Sequence, residues 1–182
     1  MSSVLLEPDN LFRVGKIICV GQNYRKHIEE MKSKKSKNPI IFMKPSTAIL
    51  REGSPILLPD FSNQVHHETE LALLIGKEGK NIPDGAWRDY VSGAGIALDL
   101  TLRDIQDEAK RKGHPWMVCK GFDGSCPISN FTPIKEIDDI HDLQIKLYVN
   151  GRLRQDGFTR DMIWSIDDLL VYISGIFTLE QG

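Results

Sequence analysis

The sequence predicts an α+β fold with mixed sheets. Short apolar runs recur along the chain, most of them closed by Gly or Pro. Only a few stretches carry helix start and stop signals. Strands and helices do not alternate regularly, so neither a doubly wound sheet nor a β/α barrel is expected. At 182 residues, 41% hydrophobic and 26% charged, the chain suits one domain with one sizeable core.

The elements follow in order. Lys16 to Val20 (KIICV) reads as a buried strand that Gly21 ends. Asn23 is placed to cap a helix running to Met31 or Lys32. Lys32 to Lys37 (KSKKSK) is read as a solvated loop. Ile40 to Met43, Ile56 to Leu58, Glu68 to Ile75 and Gly95 to Leu100 are the next strands. Thr101 and Asp104 have capping-box spacing, and the helix they open runs to Gly113, before His114-Pro115. Asp142 to Val149 alternates, and Asn150-Gly151 is a two-residue hairpin turn into Arg152 to Gln155. Ser165 with Asp168 opens a last helix through about Phe177.

Charge and cysteines narrow the function classes. A net charge of −2 gives no general pull toward nucleic acid or an anionic membrane. Three cysteines, with no C-x-x-C pair, make neither a disulfide framework nor a thiolate zinc site. No secretory leader, presequence or spanning run is evident, so a soluble, cytoplasmic protein is expected. Nucleophile-elbow, Walker and dinucleotide-binding motifs are absent from the sequence.

Three carboxylates stand where a half-buried sheet should be apolar. On a strand, Glu68, Glu70, Ala72 and Leu74 share one face; His67, Thr69, Leu71, Leu73 and Ile75 share the other. Asp99 lies inside the apolar segment GIALDLTL. Such acids need compensation, either from a bound cation or from an ion-pair network. As an all-oxygen set they suit a hard cation: Mg²⁺, with Mn²⁺ or Ca²⁺ as alternatives. His66 and His67 are set aside as ligands.

Six segments resemble the fumarylacetoacetate hydrolase superfamily, in its small single-domain acylpyruvase or oxaloacetate decarboxylase-like branch. They are GQNYRKHIEEM (Gly21–Met31), FMKPSTA (Phe42–Ala48), HHETELALLIG (His66–Gly76), LDLTLRDIQDEAKRKGHPW (Leu98–Trp116), KGFDGSCP (Lys120–Pro127) and VNGRLRQDG (Val149–Gly157). The resemblance implies a mixed β-roll or sandwich with peripheral helices over residues 1–182, and a homodimer. It also implies metal ligands Glu68, Glu70 and Asp99. His27 and Glu30, three residues apart, become a water-activating dyad, and Lys120 a stabiliser of oxyanion or enolate charge. Arg103, Gln106 and Lys44 become substrate contacts.

The implied substrate is a small α-keto or β-diketo acid. The implied main reaction is Mg²⁺-dependent hydrolysis of the acylpyruvate C–C bond. Oxaloacetate decarboxylation or keto–enol tautomerisation is the alternative. The sequence stops at Gly182 without the TGTP-containing segment the resemblance leads one to expect. An inactive or incomplete metal-binding relative is therefore the further alternative.

Overall fold

A computed structural model of the chain describes residues 2–24 and 36–182. The N-terminal hairpin joins β1 (Ser3–Leu6) to β2 (Asn10–Arg13). β3 (Lys16–Gly21) pairs antiparallel with β4 (Ile40–Pro45). β5 (Ile49–Arg51) follows, and then β6 (Val65–His66) and β7 (Thr69–Ile75). β8 (Val91–Leu98) is the central strand, and β9 (Thr101–Leu102) pairs back on β6. Helices α1 (Arg103–Lys112) and α2 (Met117–Lys120) come next. β10 (Cys126–Ile128) and β11 (Thr132–Pro133) precede the hairpin of β12 (Gln144–Val149) and β13 (Arg152–Phe158). Helix α3 (Ile166–Ile176) is the last of these elements.

The largest sheet is mixed, as the pattern predicts. β7 pairs antiparallel with one edge of β8, β10 and β11 lie on its other edge, and β5 joins β10 in parallel. One apolar cluster packs α3, through Ile166, Leu170 and Ile173, with Ile82, Trp87, Val91 and Ala94. A second gathers Val4, Leu6, Val14, Leu74 and Phe131.

Signals whose chemistry is local take the form the sequence pattern predicts. Ser165 accepts a hydrogen bond from Asp168 N, and the Asp168 carboxylate returns one from Ser165 N, completing the capping box. Asn150 and Gly151 take φ of 52° and 73°, as a type I′ turn demands. Gly113 closes α1 at φ 69°.

Three readings need correction. Ile56 to Leu58 forms no strand; Leu57 and Leu58 stay 80% and 65% exposed. Pro55 and Pro59 cannot donate to a ladder, and no neighbouring strand meets the segment among the described residues. β8 begins at Val91 rather than Gly95, taking in a glycine that reads as a strand breaker. A Cβ on Gly93 would come 2.5 Å from Leu6 Cδ1 and 2.7 Å from Thr132 O, so close packing requires glycine there. Thr101 belongs to β9, and Leu102 holds the N-cap position of α1 without a side-chain bond. The Asn23 side chain binds Trp164, donating to its carbonyl and accepting from its N–H. The rest of the helix expected from Asn23, most of the KSKKSK loop, and both His27 and Glu30 lie outside the described residues.

Candidate active site

The site is built where β7 and β8 enter the segments before β9. Glu68 stands one residue ahead of β7, and its carbonyl accepts from Asp99 N at 2.7 Å. Opposite each other in the ladder are Glu70 and Ala97. This register brings Glu68, Glu70 and Asp99 to one cleft of about 680 Å³, whose walls include Arg103, Gln106 and Lys120.

Three cations meet the carboxylates. The Lys120 ammonium lies between Glu68 and Asp99, 2.6 Å from Glu68 Oε2 and bonded to Asp99 Oδ2. Arg103 spans Glu68 with one guanidinium nitrogen, and Gln106 Oε1 with the other at 2.6 Å. Thr101 Oγ1 donates to Asp99 O at 3.1 Å and reaches Glu68 Oε2 at 3.3 Å. The ion-pair network that the sequence left open as an alternative to a cation is therefore present.

Lys44 has a different place from the one expected. It is 1% exposed and does not line the cleft. Its ammonium donates to Lys120 O and, at 3.2 Å, to Ser125 Oγ, and sits 2.8 Å from Asp99 Oδ1. It braces the site from behind instead of touching what binds in front. Arg103 and Gln106 do line the cleft, though each is already engaged with the other.

The electrostatics divide the carboxylates. Burial pushes the Glu68 pKa up, but Lys120 and Arg103 outweigh it and hold it at about 2. Burial, reinforced by Asp99 and Glu68, pushes Glu70 up to about 8. No cation pairs with Glu70 among the described residues. Burial alone would lower the Lys120 pKa, yet Asp99 and Glu68 raise it.

Asp99 Oδ1 remains without an aligned donor despite the nearby Lys44 charge. An orphaned buried oxygen, an unpaired Glu70 and an all-oxygen donor set have the chemistry of a hard-cation site. As placed, the Lys120 ammonium occupies the space between Glu68 and Asp99. No three His, Cys, Asp or Glu side chains converge around one point among the described residues.

The family model described as fumarylacetoacetate (FAA) hydrolase C-terminal matches residues 16–182. The chain belongs to the fumarylacetoacetate hydrolase family. It is 50% identical over 166 residues to the mitochondrial oxaloacetate tautomerase FAHD1 of Mus musculus, covering 91% of this chain and 75% of that one. The oxaloacetate tautomerase YcgM of Escherichia coli (strain K12) is 45% identical over 172 residues, or 94% and 78% of the two chains. Among solved structures of the family is a fumarylpyruvate hydrolase from Pseudomonas aeruginosa in complex with Mn²⁺ and pyruvate. It superposes with a TM-score of 0.92 at 34% identity, covering 99% of this chain and 80% of that one. These relatives are enzymes, and the α+β architecture expected from the sequence is the fold of this family.

Sequence reasoning missed Ser125 and Gln155. Ser125 is fully buried, and its hydroxyl donates to Lys120 O at 2.9 Å. Gln155 binds Thr69 with both ends of its amide. Neither carries a residue-type anomaly; Ser125 also meets Lys44, 81 positions away, and Gln155 meets Thr69, 86 positions away.

Proposed function

We propose that this chain is a divalent-metal-dependent oxaloacetate tautomerase. The observation that carries the reading is half-buried Glu68 and Glu70 lining one cleft with buried Asp99 and Lys120. Its support from relatives is the oxaloacetate tautomerase name of both curated proteins described above. Those relatives favour tautomerisation over acylpyruvate hydrolysis as the main activity.

Glu68, Glu70 and Asp99 would hold the ion; Mg²⁺ is our choice, and the Pseudomonas aeruginosa relative contains Mn²⁺. When bound, it supplies Lewis acidity to the keto-acid oxygens and so favours the enolate. Keto–enol exchange moves one proton between C3 and the C2 oxygen, with no attack by water. Lys120, itself buried, carries a positive charge to the cleft, where it stabilises enolate oxygen. Arg103 holds Glu68 in place at the wall of the cleft. Gln106 fixes the Arg103 fork.

Acylpyruvate hydrolysis is the second reading, favoured by the fumarylpyruvate hydrolase relative and by His27 and Glu30 in the sequence. Hydrolysis needs an activated water, and tautomerisation does not. Turnover of oxaloacetate and acetylpyruvate by wild type and His27→Ala, with Mg²⁺ and then EDTA, separates the two. We expect metal-dependent oxaloacetate exchange that survives His27→Ala, with acetylpyruvate cleavage falling at least about 10²-fold. Absence of exchange with either Mg²⁺ or Mn²⁺ would overturn the tautomerase reading.

A further inference from the structure

The β12–β13 hairpin forms one wall of the cleft through Ile145 and the stretch 154–157. Its ladder slips between Leu147 and Tyr148: Leu147 faces Gln155, while Tyr148 faces Leu153. Arg154 is the extra residue of this bulge. Bulges bend a strand locally and re-aim a side chain, and they recur beside active sites. An arginine on a hairpin ordinarily carries only solvated charge; this one lines the cleft.

The neighbouring residue fixes the wall. Gln155 Oε1 accepts from Thr69 N at 2.9 Å, and Gln155 Nε2 donates to Thr69 O at 2.7 Å. Its amide thus replaces a partner strand on the open edge of β7, at the peptide between Glu68 and Glu70. The hairpin is tied to the Thr69 backbone, between the two glutamates, by two hydrogen bonds across 86 positions of sequence.

The other Lys and Arg side chains of the cleft are engaged. Lys120 and Arg103 hold Glu68, Arg160 pairs with Asp142, and Lys110 lies 5.6 Å from the Trp116 ring centre. The Arg154 side chain has no ion pair or hydrogen bond among the described residues. A guanidinium at a cleft wall with no partner among the described residues suits a carboxylate, which it meets with two parallel donors.

We propose that Arg154, set by its bulge and by the Gln155 clamp, selects dicarboxylate keto acids by binding the carboxylate remote from the keto group. This rests on the tautomerase reading above and adds a specificity residue to it. The metal-binding carboxylates need only one end of the substrate; Arg154 reads the other.

The test compares substrates with and without the second carboxylate. In Arg154→Ala, KM for oxaloacetate rises about 10-fold with kcat kept, while KM for acetylpyruvate stays put. Arg154→Lys recovers part of the loss. An unchanged oxaloacetate KM, or equal rises for both substrates, overturns the proposal.

A binding measurement separates this from failure of the functional reading. Calorimetry with Mg²⁺ compares malate and lactate, which differ in the remote carboxylate. Wild type prefers malate about 10-fold, and Arg154→Ala loses the preference even if oxaloacetate exchange is never detected. Gln155→Leu, with Arg154 retained, also loses it; a preserved preference in that variant removes Gln155 from the proposal. No malate preference in wild type, including no binding of either acid, overturns the assignment of Arg154.

Discussion

The two ends of the β7–β8 ladder obey opposite rules. At one end, Leu74 joins Val4, Leu6 and Phe131, and Val91 and Ala94 pack with α3 and Trp87. At the other, Glu68, Glu70 and Asp99 crowd together and need Lys44, Lys120 and Arg103 for company. The apolar end gains free energy from every methyl it hides, roughly 25 cal/mol per Å². The charged end costs desolvation that ion pairing only partly offsets. One ladder thus supplies its own anchor: the apolar half holds a backbone that the charged half would not hold alone.

The contrast breaks most visibly at Lys120. Lys120→Met should destabilise the fold by about 3–5 kcal/mol, because buried Asp99 and half-buried Glu68 lose their shared ammonium. Turnover should fall at least about 10²-fold. Adding Glu68→Gln to Lys120→Met should recover part of the stability and none of the turnover. Urea unfolding and steady-state kinetics on the same samples check both. If Lys120→Met alone costs nothing in stability, the charged end is not under the strain described.

Leu170→Ala tests the apolar end. The buried leucine sits within the α3 cluster, and its loss should cost about 2–5 kcal/mol while kcat and KM remain as in wild type. A change in KM would show that the ends are mechanically coupled. Ser165→Ala should cost only about 1 kcal/mol, by removing the cap of α3. Thermal unfolding reads this smallest effect, and no kinetic change is expected with it.

The same contrast explains what could be read from the sequence. The Ser165–Asp168 cap, the Asn150-Gly151 turn and the Gly113 stop depend on neighbours within a few residues, so local pattern sufficed. Glu68, Glu70 and Asp99 were legible because charge on an apolar strand is an anomaly in one dimension. Lys44 was misplaced because a lysine between apolar residues and Pro45 gives no sign that its ammonium is buried. Its partners, Asp99, Lys120 and Ser125, lie at least 55 residues away, and only the fold joins them. Gln155 was silent for the same reason. The early start of β8 was silent too: nothing local marks Gly93 as a strand residue, and its close packing against Leu6 and Thr132 comes only with the fold.

The bracing by Lys44 has a consequence for how the cleft receives a ligand. One ammonium joins Asp99, the carbonyl of Lys120 and the Ser125 hydroxyl, so the end of β8, helix α2 and the approach to β10 are cross-tied. The dipoles and charges around Asp99 and Lys120 are oriented when the chain folds. An arriving anion therefore meets a field already pointed at it, and little of its binding energy is consumed in turning protein groups around.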